Sequence, residues 1–174
     1  MDLRIEKTKK SIINSFLEIR SKKELEKITV KELCEKAQIN KSTFYSHYHD
    51  IYDLSEHLET EVVNSIIEHM NHPEYVIEKS ELFTKELYEG HMAKNVLINI
   101  LFSGTRSNVL IHKIEKSIKE LVFAKYPEYQ NDAAKNITLT FCIYGGFYAF
   151  FENRAYKDET IIDMIGKLSA KLNA

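Results

Sequence analysis

The sequence is poor in the two residues that make tight turns. Its 174 residues include 5 Gly and 2 Pro, whereas a β-rich fold of this length needs turn residues between many short strands. Apolar residues recur instead at the spacing of helices that bury one face. We therefore predict an all-α fold of about nine helices. Four lie before residue 71, and the others are expected at 76–89, 92–102, 107–126, 132–153 and 158–172.

Composition and charge exclude several classes of protein. The chain is 44% apolar and 29% charged with a net charge of -2, which fits a globular protein better than a disordered or low-complexity one. Cys34 and Cys142 are too few for a disulfide scaffold. Since no cleavable apolar segment follows the charged start of the chain, we expect a reducing, cytoplasmic location. The basic end comes first, because residues 1–50 carry 11 basic and 8 acidic side chains and residues 51–174 carry 13 and 18.

A helix-turn-helix is predicted in the first fifty residues. Thr29 and, three residues later, Glu32 form a capping box that starts a helix of about two turns. After a short break, Asn40 can cap another short helix. On that helix Phe44 and Tyr48 share the face that packs on the chain's first, amphipathic helix. Two short helices joined by a tight turn are typical of a helix-turn-helix.

The stretch TVKELCEKAQINKSTFYSHYHDIYDL, Thr29–Leu54, resembles the DNA-binding core of the tetracycline-repressor (TetR) family. The preceding SIINSFLEI resembles that family's first helix, so the resemblance covers roughly the first 55 to 60 residues. Within the family, INKSTFYSHY is similar to a subgroup of Firmicutes-type regulators like the dihydroxyacetone-kinase regulators. The resemblance implies a ligand-responsive transcriptional regulator: a homodimeric repressor that occupies a palindromic double-stranded DNA operator and is released by a small-molecule effector.

Four places depart from the family pattern. Gln38 and Ser42 stand where the family often has Gly, and a positive φ at Gln38 would cost on the order of 1 kcal/mol. Ile51 stands where the family often has Lys, which removes one expected phosphate contact. Residues 22–24, Lys-Lys-Glu, replace the usual glycine between the first two helices. None of these changes breaks the hydrophobic pattern.

The predicted third helix carries short and hydrogen-bonding side chains on its second face. Lys41 can reach a guanine edge or a phosphate, while Ser42 and Thr43 are short enough to approach base edges. Tyr45 and His47 can donate to phosphate oxygens. The predicted DNA-binding residues are Thr29, Lys41, Ser42, Thr43, Tyr45, Ser46 and His47. An ordinary solvated face is the alternative interpretation of Lys41, Ser42 and His47.

Residues 137–151, ITLTFCIYGGFYAFF, contain no charged side chain. The stretch is shorter than the ~20 apolar residues that span a bilayer, so a helix that is apolar all round must be buried on every side. We expect one face to line the domain core and the other to form an intersubunit four-helix bundle with the last helix. The predicted interface comprises Phe147, Phe150, Phe151, Ile161, Ile165, Leu168 and Leu172. The core of a monomer is the alternative.

Aromatic side chains are frequent between the basic module and this bundle. The resemblance implies that such helices enclose an effector cavity, here lined by Phe83, Tyr88, Met92, Phe102, Phe123, Phe141, Tyr144 and Tyr148. His91 and His112 are candidate polar points in its wall, which suits a hydrophobic or aromatic effector. A solid core is the alternative interpretation. The DNA-binding domain is predicted at 1–50 and the regulatory and dimerisation domain at 51–174, with a linking helix at 51–70.

Other chemistry has weaker support in the sequence. Glu68, His69 and His72 have a spacing that a metal can use, but exposed polar residues at a helix end are commoner. No phosphate-binding glycine loop, nucleophile elbow or zinc-binding helix motif is found, so neither an enzyme nor a cofactor is expected. Two further hypotheses stay open. One is a protein adaptor or coactivator that keeps the fold without reading DNA, and the other is a helical enzyme or carrier that uses the aromatic cavity.

Overall fold

All of the secondary structure is helical in the described part of the chain. A computed structural model describes residues 3–70, 72 and 75–173. Within these residues there are ten α-helices, three 3₁₀ turns and no strand. The α-helices are α1 Leu3–Arg20, α2 Val30–Ala37, α3 Lys41–Tyr45, α4 Ile51–Glu68, α5 Tyr75–Glu78, α6 Ser80–Ala93, α7 Asn95–Leu101, α8 Ser107–Lys125, α9 Ala133–Glu152 and α10 Asp158–Asn173. The predicted all-α fold is confirmed.

The helix predicted at 76–89 is the main difference in the element order. It is divided into α5 and α6, because Lys79 between them has φ -144° and ψ 61°, outside the helical region. The predicted break after residue 89 is also wrong, since α6 continues through Gly90 to Ala93. Gly90 lies where the backbone of α4 passes close by: a Cβ on Gly90 would be 2.9 Å from the carbonyl oxygen of Ile66. The glycine therefore serves a close approach of two helices and does not end one.

The described chain forms two compact units. The first unit comprises the residues up to Glu61 together with a returning segment, Val96–Ser107, and the second comprises Val62–Asn95 and the residues from Asn108 onward. These packing units differ from the predicted functional domains, which meet at residue 50. The returning segment is remote in sequence from the first helices. Only packing assigns it to the first unit, which is why no local pattern predicts it.

Side chains from four helices close the core of the first unit. Its fully buried apolar side chains include Ile12, Phe16, Leu33, Phe44 and Leu54. Each contributes about 1.5–3 kcal/mol relative to an exposed position. This burial matters most for α3, whose five residues are too few to form a stable helix alone. Tertiary packing therefore holds α3 in place.

Two arginines fix the returning segment within the first unit. Arg20 is 3% exposed and donates to the carbonyl oxygen of Ser103 at 2.9 Å. Arg106 donates to both carboxylate oxygens of Glu59, at 3.0 and 2.5 Å. Glu59 has no exposed surface and also accepts a hydrogen bond from Ser55 at 2.9 Å. Since removing one partner of a buried ion pair typically costs about 3–5 kcal/mol, this pairing specifies one arrangement of the segment.

The second unit contains α5, α6, α9, α10, most of α8 and the end of α4. Its helices approach closely at glycines. A Cβ on Gly166 of α10 would lie 2.8 Å from the Cα of Glu81 in α6, and one on Gly146 of α9 would lie 3.1 Å from Cγ2 of Ile165. Larger side chains at these two positions would force the helices apart.

Helix α9 carries the uncharged stretch predicted to be buried on every side. In the single chain the predicted core face is formed, because Leu139 and Ile143 are buried, whereas Ile137 is 69% exposed and Phe141 is 64% exposed. The helix therefore has one face in the core and one face uncovered. Burial of this second face by a partner subunit stays a prediction. None of the described helices, α9 included, is long and apolar enough to cross a membrane.

Candidate nucleic-acid interface and candidate ligand cavity

Helix α2 begins at the predicted threonine cap. Thr29 has an extended backbone, and its Oγ1 accepts a hydrogen bond from the Glu32 amide at 3.2 Å. The reciprocal half of the predicted capping box is not formed within the described residues. The Glu32 carboxylate instead accepts a hydrogen bond from Lys23 Nζ at 2.6 Å. Thr29 is exposed, so its hydroxyl hydrogen is available to a phosphate oxygen at the N-terminus of α2.

The turn between α2 and α3 depends on one left-handed residue. Gln38 has φ 54° and ψ 46°, which meets the expectation of a positive φ at this position. The conformation costs a non-glycine residue about 1 kcal/mol. Asn40 precedes α3, but its side chain makes no capping hydrogen bond, so the predicted side-chain cap is absent. The main chain alone begins the helix, through the Phe44 amide and the Asn40 carbonyl at 3.2 Å.

Helix α3 separates a buried face from an exposed one. Phe44 has no exposed surface and Tyr48 is 6% exposed, with ring centroids 6.0 Å apart, which confirms their predicted role in a small core. Burial, with the charges of Glu61 and Asp53, raises the pKa of Tyr48 to about 12. Tyr45 is 55% exposed, although its ring contacts that of Phe44 edge-on. The buried aromatic rings therefore orient the exposed side of α3.

The predicted DNA-binding residues all have accessible side chains. Thr29, Lys41, Ser42, Tyr45 and Ser46 are exposed, and Thr43 and His47 are half-buried. The structure brings six of these seven residues together on α3 and the two residues that follow it. Ser46 also donates to the Thr43 carbonyl at 2.7 Å, which stabilises the end of the helix. Accessibility permits contact with DNA, and the contact itself stays a prediction.

Lys41 differs from the lysines of α2 in having no internal partner. Lys31 pairs with Glu35 at 3.9 Å, and Lys36 pairs with Glu18 at 2.6 Å. The hydrogen bond from Lys36 is the main cause that lowers the pKa of Glu18. Within the described part of the chain, Lys41 makes neither an ion pair nor a hydrogen bond. Its ammonium group is therefore available to an external anion.

The start of α4 is built without a basic residue. The Asp53 amide donates to Asp50 Oδ1 and the His49 amide donates to Asp53 Oδ2, both at 2.8 Å, which confirms the predicted helix start. Ile51 is 5% exposed and belongs to the core. This position therefore cannot supply the phosphate contact that the family pattern places there. The two aspartates also reduce the attraction of this end of α4 for a phosphate backbone.

The second unit contains an apolar cavity of about 90 Å³. Helices α5, α6, α8, α9 and α10 supply its walls. The lining residues are Val76, Ser80, Phe83, Thr84, Leu87, Tyr88, His91, Ile111, Ile114, Cys142, Ile143, Gly146, Phe147, Phe150, Phe151, Ile162, Ile165 and Ser169. The cavity is smaller than the ~150 Å³ apolar cavity that accommodates benzene in an engineered protein.

Two of the eight predicted cavity residues, Phe83 and Tyr88, line this cavity. The other six do not, namely Met92, Phe102, Phe123, Phe141, Tyr144 and Tyr148. For the residues of α9, the reason is the rotation of the helix about its own axis. Because α9 directs Ile143 and Phe150 into the cavity, the residues on its opposite side are left outside, and Phe141 and Tyr148 are 64% and 43% exposed.

Phe102 and Tyr144, predicted to line the cavity, and His112, a candidate polar point in its wall, have other roles. Phe102 belongs to the first unit and is 5% exposed. Tyr144 hydrogen-bonds to Nδ1 of His112 on α8. Burial and the neighbouring Glu115 carboxylate raise the pKa of Tyr144. Tyr144 and His112 therefore pair with each other outside the cavity.

His91 is the buried titratable side chain of the cavity wall. It is 7% exposed, and burial, followed by the positive charge of Arg154, lowers its pKa to about 4. Its ring meets that of Phe151 edge-on with centroids 5.5 Å apart. No group of the described chain hydrogen-bonds to its imidazole. A neutral imidazole, with one donor and one acceptor nitrogen, therefore lines an otherwise apolar space.

The predicted dimer-interface residues are divided between the interior and the surface. Four of them line the cavity, namely Phe147, Phe150, Phe151 and Ile165. Ile161 is also buried. Leu168 and Leu172 are 54% and 50% exposed, so these two are the most accessible of the predicted interface residues.

The exposed apolar residues of α9 and α10 form two stripes, which differ from the predicted set of dimer-interface residues. On α10, Met164, Leu168 and Leu172 follow one another at four-residue spacing and are each at least half exposed. On α9 the exposed apolar residues are Ile137, Phe141 and Tyr148. Contiguous apolar surface of this kind commonly marks an interaction site. The sequence shows which residues of α9 and α10 are apolar, but only packing decides which of them face outward.

The predicted metal candidates do not form a site in the described residues. No group of three or more His, Cys, Asp or Glu side chains able to hold a metal ion occurs there. The His72 ring stacks on Tyr75 with centroids 4.5 Å apart. Cys34 and Cys142 are both free thiols, and burial raises the pKa of each.

Two comparisons with known proteins bear on function. No protein-family model matches the chain. No curated protein matches it either. The resemblance of Thr29–Leu54 to the TetR family therefore stays a prediction.

Proposed function

We propose that this chain is a DNA-binding transcriptional regulator of the TetR type. It would act as a homodimeric repressor that occupies a palindromic operator and leaves it when a small molecule binds the second unit. The observation that carries the proposal is the two-sided α3. Phe44 is fully buried on one side, while Lys41 and Tyr45 are exposed on the other. Such a helix, preceded by a short capped helix, has the form that enters a major groove.

The exposed groups suit both parts of DNA recognition. Lys41, without an internal partner, can donate to a phosphate or a guanine edge, and Ser42 and Thr43 can approach base edges. Tyr45 and His47 can donate to phosphate oxygens. Thr29 adds a hydroxyl at the N-terminus of α2, where backbone amides favour an anion.

A second copy of the chain is the expected partner. The first fifty residues carry 11 basic and 8 acidic side chains, and such a small excess gives weak binding to one half-site. Two linked half-sites raise the affinity without new contacts. The uncovered stripes on α9 and α10, which include Phe141 and Leu168, supply apolar surface for that association.

Selection from a random duplex pool tests the proposal. Purified protein at about 0.15 M salt should enrich a palindrome whose half-sites lie about one helical turn apart. Lys41→Ala should weaken binding to the selected duplex while the helical content and thermal unfolding stay as in wild type. Lys31→Ala, an exposed lysine on α2 that already pairs with Glu35, is the matched control and should bind nearly as well as wild type.

The subunit interface is tested separately. Leu168→Asp should convert the dimer to a monomer in sedimentation experiments and weaken DNA binding. Leu82→Asp, at a residue of α6 that is 47% exposed, is the control and should remain dimeric.

The same selection distinguishes the alternative function. A folded, dimeric protein that enriches no sequence, with or without added small molecules, would favour a protein adaptor that keeps the fold without reading DNA. The loss of a basic residue at the start of α4, where Ile51 is buried, is the observation that keeps this alternative. Equal binding by wild type and Lys41→Ala would overturn the assignment of α3 as the reading helix.

A further inference from the structure

We propose that the cavity of the second unit binds an uncharged single-ring compound carrying a hydroxyl group, with phenol as the simplest example, and that this hydroxyl pairs with the imidazole of His91. The inference rests on the proposed function only because it calls the compound an effector. Binding itself is measurable without DNA, so the two can fail independently.

The walls of the cavity limit the size and polarity of its ligand. Its volume of about 90 Å³ admits at most one ring, and admits it only if neighbouring side chains yield. Phe147 and Phe151 line the cavity and are only half-buried, so they can move outward. Their faces and edges, with that of the buried Phe83, favour an aromatic ligand over an aliphatic one of the same size.

His91 supplies the one polar group in the wall that is left without a partner. It is 7% exposed, and no group of the described residues satisfies its imidazole. Its ring nitrogens are not among the fully enclosed, unpaired polar atoms of the described chain, so they keep some surface that a hydrogen-bonding group can contact. A ligand hydroxyl both donates and accepts, so it can satisfy the imidazole in either tautomer.

The other polar groups around the cavity are already committed. Tyr88 donates to Asp158 Oδ2 at 2.6 Å, and Thr84 donates to the Ser80 carbonyl at 2.7 Å. Arg154 lies over the Phe150 ring at 3.8 Å and pairs with Asp158 at 3.5 Å. None of these groups is free to neutralise a buried carboxylate. A charged ligand would therefore lose its hydration without a compensating partner.

Three probes of similar shape separate the possibilities. Phenol, toluene and benzoate are titrated by calorimetry into the purified full chain at pH 7.5, without DNA. Phenol should bind roughly 3- to 10-fold more tightly than toluene, the worth of one hydrogen bond. Benzoate should not bind measurably. In histidine-labelled protein, phenol should shift the imidazole nitrogen signals of His91 and leave those of the exposed His69 unchanged.

A pair of variants assigns the preference to one residue. His91→Phe keeps a flat ring in the wall and removes the hydrogen bond, so phenol should lose its advantage over toluene. His69→Phe makes the same change at an exposed position and should retain the wild-type preference. If His91→Phe does not fold, the labelled histidine signals of the wild-type protein still test the pairing.

Each possible binding result tests a different part of the proposal. Equal binding of phenol and toluene by wild type would overturn the pairing with His91, and tight binding of benzoate would overturn the choice of an uncharged ligand. Absence of binding by all three probes would overturn the site. Phenol binding by a protein that selects no DNA sequence would support the site and refute the regulator.

Discussion

The two compact units differ in how completely their side chains close on one another. In the first unit, Phe16 and Phe44 have no exposed surface, and even the charged Glu59 is fully buried and paired. In the second unit, a cavity of about 90 Å³ remains. The proposed reading of DNA requires fixed side chains, whereas the proposed binding of a small molecule requires space.

The treatment of buried polar groups does not follow the same division. The Glu59 carboxylate receives hydrogen bonds from Arg106 and Ser55, so the first unit satisfies its buried charge internally. The His91 imidazole of the second unit has no partner in the described chain. Among the described residues, the fully enclosed polar atoms without a partner are Arg20 Nε and Tyr48 Oη in the first unit and Glu86 Oε2 in the second, so the two units differ in the cavity and not in the pairing of their buried polar groups.

The largest expected effect compares one Phe→Ala substitution in each unit. Phe44→Ala should lower the free energy of unfolding by about 4 kcal/mol, because it opens a void in a closed core. Phe83→Ala should cost at least about 1 kcal/mol less, since its side chain already borders a cavity and has fewer contacts to lose. Urea unfolding followed by far-UV circular dichroism measures both. Equal losses would contradict the proposed difference in packing.

A charge substitution tests whether the first unit depends on its internal ion pair. Arg106→Met should lower the free energy of unfolding by about 3 kcal/mol, because it leaves the fully buried Glu59 carboxylate without its main partner. Lys167→Met breaks the exposed pair with Asp163 and serves as the control that should leave stability unchanged. A loss in the control as large as that of Arg106→Met would show that burial is not the cause.

The pH dependence of stability tests the state of His91. Its pKa of about 4 in the folded protein lies below the ordinary value of 6.5, so the unfolded chain binds the extra proton between these values. The free energy of unfolding should therefore fall as pH is lowered through this window, by about 2 kcal/mol between pH 7 and pH 5. His91→Phe should lack this part of the decrease. Parallel curves for wild type and variant would mean that His91 is not held neutral.

The smallest expected effect is a gain in the first unit. Gln38 has φ 54°, a conformation that glycine adopts without strain, so Gln38→Gly should raise the free energy of unfolding by about 1 kcal/mol or less. Gln38→Ala retains a Cβ and should give no such gain. Thermal unfolding of the three proteins measures the difference. A loss of stability in Gln38→Gly would show that the glutamine side chain stabilises the turn.

The predictable parts of the molecule depend on residues close together in sequence. The cap at Thr29 and the start of α4 at Asp50 and Asp53 arise from side chains that bond three or four residues away. The buried pair of Phe44 and Tyr48 follows from one turn of helix. Sequence therefore predicts the helix-turn-helix and its accessible residues well.

The unpredicted parts depend on pairs that only packing brings together. Arg106 and Glu59 are separated by 47 positions, and nothing in the periodicity of either helix signals that they meet. Phe150, predicted at the partner interface, is buried in the wall of the cavity for a related reason. An all-apolar helix such as α9 gives no polar face from which its rotation can be predicted.

By itself the sequence determined that the described chain is helical, where α2, α3 and α4 begin, and which side of α3 is exposed. These features follow from local hydrogen bonds and from the 3.6-residue period of the helix. The tertiary structure decided that residues 96–107 return to the first unit, that His91 lines a cavity, and that Leu168 faces outward while Ile165 does not. These features depend on how whole helices pack, which local residue patterns do not encode.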